Sequence, residues 1–300
     1  MKKGLFVSLL LVLGLTGCTV QPQATEPTSS AATNSAVTAQ HTSSLPAASS
    51  SNLASLTYHS GADAVVAVNG NRSTLKAADW TNNHVVYSPL DTLNRTSSPN
   101  TAYLEARNLA NDSLRVRQFV EPTGWHQKFS GGEAIINRGH LIAYSLSKGI
   151  ALDGSYEPSQ RSGDQNNLKN LFTQTAFSNQ ELQTIYEAKV REALKEGKRV
   201  IYQAHAIFAG DDRMARGVQL QAISTDGTLN FNVYIFNVQP GFVFNYADGT
   251  SKVDSSMTVP KPANAPNFND SRSERSSRAT HYSAIYHAAK HIYHHYHRHE

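Results

Sequence analysis

The sequence predicts an α+β domain: a mostly antiparallel central sheet with one prominent helix packed on it. Three observations carry this expectation. A run rich in Glu, Lys, Ala, Leu and Gln extends from about Ser178 to Glu196 and stops at Gly197, which is the composition and the stop signal of a helix. Alternating or β-branched runs follow it at Val200–Phe208, Val218–Ile223 and Leu229–Val238. Asp226-Gly227 lies between the last two, a strong hairpin signal.

The earlier elements are shorter. Ala64–Val68 and His84–Tyr87 read as strands, and Ala102–Asn111 reads as a helix from its Ala, Leu, Glu and Arg content. Along the long helix, Leu182, Ile185, Tyr186, Val190 and Ala193 form the apolar stripe that faces the sheet. No internal repeat is apparent. Residues 57–256 are enough for one domain with a proper core.

The ends of the chain have a different character. Residues 1–18 begin with Lys2 and Lys3, continue with an apolar stretch from Leu5 to Leu15, and read as a secretory signal. That stretch falls short of the roughly 20 apolar residues a spanning helix needs. It closes on Leu15-Thr16-Gly17-Cys18, which resembles the lipobox of bacterial lipoproteins. The resemblance implies cleavage before Cys18 and lipid attachment there, hence a domain tethered at the outer face of the cell membrane. An ordinary signal peptide is the alternative. Cys18 is the only cysteine, so no disulfide within the domain or to a partner is expected. Residues 19–56, made of Ser, Thr, Ala, Pro and Gln, bury too little to order and read as a disordered tether. Residues 257–300 read as a Pro/Ser/Arg linker and a histidine-rich tail. Seven of the thirteen histidines fall in the last twenty residues, which suits divalent-metal binding or simple solvation.

Net charge says little about partners. Over residues 57–254, Lys+Arg and Asp+Glu are equal at 19 each, so the +4 of the whole chain comes from its ends. Only a local basic patch could argue for nucleic acid.

The chemistry concentrates in Asn137-Arg138-Gly139-His140, after the apolar run Ala134-Ile135-Ile136. A neutral imidazole can take a proton from water, arginine can hold a phosphate oxygen, and glycine permits close approach to the backbone. About forty residues on, the chain reads Asn170-Leu-Phe-Thr-Gln174-Thr-Ala-Phe-Ser-Asn179-Gln180. With Asn179 at 0° on an ideal helix, Glu187 falls at about 80° and Arg191 at about 120°. A neutral oxygen ligand, a carboxylate and a guanidinium can then share one side of the helix. Asn170 and Gln174 belong to the turn that leads into it. Taken alone, Asn179 also suits a helix N-terminus, and Glu187 with Arg191 a surface ion pair. His126 and His205 read as structural.

On these motifs the chain resembles the DNA/RNA non-specific endonucleases of the ββα-metal fold, most closely the surface DNA-entry nucleases of Gram-positive bacteria. Their Asp-Arg-Gly-His signature is matched by Asn137 to His140. Their Asn-x-x-x-Gln-x-x-x-x-Asn-Gln run is matched by Asn170, Gln174, Asn179 and Gln180. The wider family's glutamate and arginine are matched by Glu187 and Arg191. Tyr87-Ser-Pro-Leu-Asp91 and Glu121-Pro-Thr-Gly-Trp125-His126-Gln127 resemble upstream stretches of the same branch.

The resemblance implies hydrolysis of DNA, and of RNA, to 5′-phosphate ends. His140 acts in it as general base, and one Mg²⁺, with Mn²⁺ as the alternative, is held by the Asn179 amide oxygen. Glu187 hydrogen-bonds a water on that ion, and Arg191 or Arg138 offsets charge on the phosphorane. Asn170, Gln174 and Asn137 support the site. One departure stands out: Asn137 replaces the family aspartate. It leaves open a rival reading, a catalytically inactive nucleic-acid-binding surface lipoprotein.

Overall fold

A computed structural model describes residues 45–163 and 165–266. The expectations for Cys18, for the signal segment and for the histidine-rich end lie outside the described residues. The described residues form thirteen strands and one α-helix: β1 (Ala47–Ala48), β2 (Val65–Val68), β3 (His84–Val86), β4 (Asn100–Leu104), β5 (Phe129–Ser130), β6 (Glu133–Ala134), β7 (Ile136–His140), β8 (Leu171–Thr175), α1 (Thr184–Lys195), β9 (Val200–Ile207), β10 (Gly217–Ser224), β11 (Asn230–Phe236), β12 (Phe242–Asn245) and β13 (Thr250–Val253).

Seven strands form one sheet in the order β1-β2-β11-β10-β9-β4-β3. All its pairings are antiparallel except β1 with β2. The three long runs after the helix form its centre. β9 and β10 pair from Val200 opposite Ser224 to Ile207 opposite Gly217. The β10–β11 hairpin turns at Gly227, whose φ of 74° is easy only for glycine. Phe231, Val233, Tyr234, Ile235 and Phe236 are all buried, so β11 is covered on both faces.

Helix α1 packs on this sheet through Ile185, Tyr186, Val190, Ala193 and Leu194. A side chain the size of valine or leucine contributes roughly 1.5–3 kcal/mol on such burial. The Tyr186 ring meets that of Phe231 at 5.3 Å. The helix ends as the sequence predicts. Gly197, at φ 80°, donates its N–H to the Leu194 carbonyl, and Lys198 donates to Ala193, which together close the C-terminus.

Two expectations need correction. Ala102–Asn111 is not a helix: Asn100–Leu104 is β4, and only a short 3₁₀ turn follows at Ala106–Asn108. Pairing of β4 with β9, Ala102 opposite Tyr202, outweighs the local helix propensity. Burial alternates along β4, with Ala102 and Leu104 inward, a period of two that marks a strand. The fold also begins before residue 57. β1 joins the sheet edge and Leu53 is buried in the core, so residues 45–56 belong to the domain rather than to a tether. Val259 adds burial beyond residue 256.

The pair β7–β8 stands apart from the main sheet, with His140 opposite Leu171 and Asn137 opposite Gln174. Buried Asn237 clamps the pair to the sheet. Its Oδ1 accepts the Thr175 N–H at 2.8 Å, and its Nδ2 donates to the carbonyls of Thr173 (3.0 Å) and Ala215 (2.9 Å). Asn237→Ala is therefore expected to lower unfolding stability by at least about 2 kcal/mol, since each buried polar group left unpaired costs roughly 1–3 kcal/mol. A urea titration that places its midpoint on the wild-type value would contradict the clamp.

Candidate active site

Immediately after β8 the chain turns into a helix whose first stretch, Phe177–Gln183, is π-helical. Its early amides are held from outside: Ser178 N–H by Thr175 Oγ1 at 3.1 Å, and Phe177 N–H by Gln239 Oε1 at 2.9 Å. A π-turn carries i→i+5 bonds, so the 100° spacing does not measure the angle from Asn179 to Glu187. The wider turn nevertheless leaves Asn179, Gln180, Gln183, Thr184, Glu187 and Arg191 along one wall of a cleft of about 830 Å³. His140, Ala143 and Ser145 face them across it, and Arg115 and Phe129 also line it.

His140 ends β7 and keeps part of its surface in the cleft. Its Nε2 lies 3.2 Å from the Gln165 carbonyl oxygen. Donation to this carbonyl, which only accepts, requires the proton on Nε2 and leaves the lone pair on Nδ1. No described residue hydrogen-bonds Nδ1. Gln118 Nε2 is 3.2 Å from the same ring nitrogen and donates to the same carbonyl at 3.3 Å. Burial pushes the imidazole pKa down to about 4, the Arg115 charge adds to this, and the Gln165 bond opposes it.

Asn179 lines the cleft and donates through Nδ2 to Gln174 Oε1 at 2.8 Å, which leaves its Oδ1 without a hydrogen bond among the described residues. Glu187 is 7 % exposed. Its Oε1 accepts from Gln183 at 2.8 Å, and its Oε2 lies 3.6 Å from Arg191 Nη1. Burial raises its pKa, against the pull of Arg191 and of the Gln183 bond. Arg191 also donates to Ser145 Oγ at 3.1 Å, which aims the guanidinium across the cleft.

The supporting residues fall into place around these. Asn170 is fully buried and treats Ile142 as a strand partner would, accepting its N–H and donating to its carbonyl, both at 2.9 Å. It thereby fixes the chain just past His140 without lining the cleft. Gln174, also fully buried, lies over Gly139, where an added Cβ would sit 2.2 Å from its Oε1. Glycine is required here by close approach rather than by φ.

Two expected positions are not brought into the cleft. Arg138 donates through Nε to the Val120 carbonyl and stacks at 4.3 Å over the Trp125 ring, so its guanidinium is committed elsewhere. Asn137 sits opposite Gln174, part-exposed and with no side-chain hydrogen bond among the described residues. Arg115, on an irregular loop and 4.8 Å over the Tyr144 ring, takes the place expected of Arg138. Nothing in the sequence pattern singles it out. Gln183 had a signal: Asn179, Gln183, Glu187 and Arg191 recur every four residues. His205 is structural, with Nε2 2.8 Å from the Ser97 carbonyl oxygen.

Among the described residues, no group of three or more His, Cys, Asp or Glu side chains could hold a metal. The oxygen donor set lining the cleft is made of the amides of Asn111, Asn179, Gln180 and Gln183 and the carboxylates of Glu187 and Glu133. It suits a hard, largely hydrated cation such as Mg²⁺, which keeps several waters.

Comparison with known proteins agrees with this geometry. Residues 72–226 match the family model of the DNA/RNA non-specific endonucleases. The structure of NucA from Streptococcus agalactiae without metal superposes with a TM-score of 0.52 at 30 % identity, covering 63 % of this chain and 87 % of that one. Its magnesium-bound structure gives 0.53 at 30 % identity, covering 63 % and 86 %. The matched segment spans more than half of the chain and contains every residue of the cleft, so the chain belongs to the DNA/RNA non-specific endonuclease family of nucleic-acid hydrolases.

Proposed function

We propose that the chain is an extracellular, lipid-anchored endonuclease that cleaves DNA and RNA with one divalent cation, Mg²⁺ or Mn²⁺, leaving 5′-phosphate ends. The observation that carries this is His140, its Nε2 3.2 Å from the Gln165 carbonyl oxygen, in the same cleft as Asn179, whose Nδ2 is held by Gln174. The anchor rests on the lipobox-like residues ending in Cys18, and the surface location follows from it.

His140 is neutral at physiological pH and takes the proton of the attacking water at Nδ1. The Gln165 carbonyl then stabilises the imidazolium by accepting the Nε2 proton more strongly, as charge-assisted bonds do. Asn179 would hold the cation, and Glu187 would accept from its hydration shell. Bound there, the cation supplies Lewis-acid stabilisation of the leaving oxygen. Arg191 and Arg115 offer guanidinium groups to phosphate oxygens. Contacts of this kind read the backbone rather than the bases, hence the weak sequence preference.

The inactive-binder reading rests on Asn137. That side chain makes no described hydrogen bond and does not line the cleft, so its change from an acid leaves the cleft groups in place. Incubating the full chain with plasmid and with folded RNA decides the matter. Degradation in Mg²⁺ or Mn²⁺, suppressed by chelator, is expected. Intact nucleic acid across both metals and from pH 5 to 9, with DNA binding retained, would overturn the enzyme reading.

A further inference from the structure

We propose that Gln183 is a positioning residue for the metal-ligand oxygen of Asn179, acting through a directional relay of three side-chain amides. The inference rests on the nuclease reading of the cleft and adds a residue to it.

The relay runs through buried atoms. Gln183 Nε2 donates to the His140 carbonyl oxygen and to Glu187 Oε1, both at 2.8 Å. Gln183 Oε1 accepts from Gln174 Nε2 at 3.0 Å, and Gln174 Oε1 accepts from Asn179 Nδ2 at 2.8 Å. Gln174 and Gln183 are 0 % and 1 % exposed, so no bulk water can substitute for a lost partner.

An amide has one accepting and one donating end, and reversing it inside such a chain sets two acceptors or two donors face to face. The starting end is fixed. The His140 backbone carbonyl only accepts, so Gln183 must turn its NH₂ to it and its oxygen to Gln174. Gln174 must then give its NH₂, which also reaches Ser178 Oγ at 3.1 Å, and turn its oxygen to Asn179. Asn179 is left with one orientation, NH₂ inward and Oδ1 in the cleft. The polarity of the metal-facing atom is thus set from the main chain of the general base, across 43 residues of sequence and three side chains. Gly139 completes the device, because the Gln174 side chain occupies the space a Cβ would fill.

The test uses the full chain, Gln183→Leu and Gln183→Glu, with Mn²⁺ as the probe. Both variants should raise the half-saturating Mn²⁺ concentration at least tenfold, by electron paramagnetic resonance without substrate and by cleavage assays. KM for DNA at saturating metal should change little, and excess Mn²⁺ should recover turnover in Gln183→Leu. In the ¹⁵N spectrum, the Asn179 side-chain NH₂ should lose its protection from solvent exchange. Folded variants with wild-type Mn²⁺ binding and an unchanged Asn179 NH₂ signal would overturn the proposal. If the variants do not fold, the wild-type spectrum decides: one slowly exchanging Asn179 NH₂ pair supports the relay, and fast exchange refutes it. Absence of nuclease activity in the wild type would overturn the nuclease reading alone, since metal binding and the NH₂ signal still report on the relay.

Discussion

His140→Ala is expected to lower kcat by about 10²–10⁴-fold, the usual contribution of a positioned general base. The fold should survive, because the ring's polar contacts are all at Nε2, with the Gln165 carbonyl and beside the Gln118 amide, whereas the backbone of His140 stays paired with β8 and Gln183. Loss of activity without loss of thermal stability separates a chemical role from a structural one. A variant that retains more than about a tenth of wild-type kcat is incompatible with a dominant general base, whose loss costs at least about 100-fold.

The pH dependence follows from the same residue. The active form is the neutral imidazole, and its pKa is lowered to about 4. Activity limited by this group should therefore be constant at neutral pH and fall as pH drops through the apparent pKa. Bound phosphate stabilises the imidazolium and moves that apparent value upward. The free-enzyme group also links to stability. Its contribution is complete above the unfolded value of about 6.5 and is lost as pH falls toward the folded value of about 4. An acid limb absent from wild-type kcat, which reads the phosphate-bound state, down to pH 4 would remove His140 from the rate equation.

Gly139→Ala carries the second large effect. The new methyl would lie 2.2 Å from Gln174 Oε1 and 2.6 Å from Gln174 Cβ, so a rotation of the amide alone does not relieve it. Either β7 separates from β8 or Gln174 leaves its place between Asn179 and Gln183. Overpacking of this kind costs about 1–3 kcal/mol. Activity should fall further than the unfolded fraction accounts for, because the Asn179 oxygen loses its fixed direction. Equal stability and activity in the alanine variant, measured by urea unfolding and initial rates, would show that the strand pair accommodates the methyl and that the close approach has no function.

Much of the fold was legible where the pattern was local. Gly197 and the composition before it marked the end of α1, and Asp226-Gly227 marked the β10–β11 turn. β4 was misread because Asn100–Leu104 becomes a strand through its pairing with β3 on one side and, a hundred residues away, β9 on the other. The same distinction runs through the site. Spacing from His140 to Asn179, Glu187 and Arg191 identified the cleft residues, although the π-turn breaks the angular reasoning that grouped them. Which arginines line the cleft was not legible: Arg138 folds against the Val120 carbonyl and Trp125, whereas Arg115 and Arg191 line it, since a guanidinium's target depends on which segment it packs against.

The amino-acid sequence by itself determined the class of fold, the long helix and its boundary, and which histidine and asparagine, His140 and Asn179, come to share the cleft. These are carried by residue type and short-range period, which a chain keeps in any conformation. Only the tertiary structure decided which arginine reaches the cleft, that Asn137 stands outside it, and that Gln183 belongs to it. It also decided which end of each amide faces which neighbour. A side-chain amide has no preferred direction until buried acceptors on distant segments, here the His140 carbonyl and Glu187, leave it a single way to be satisfied.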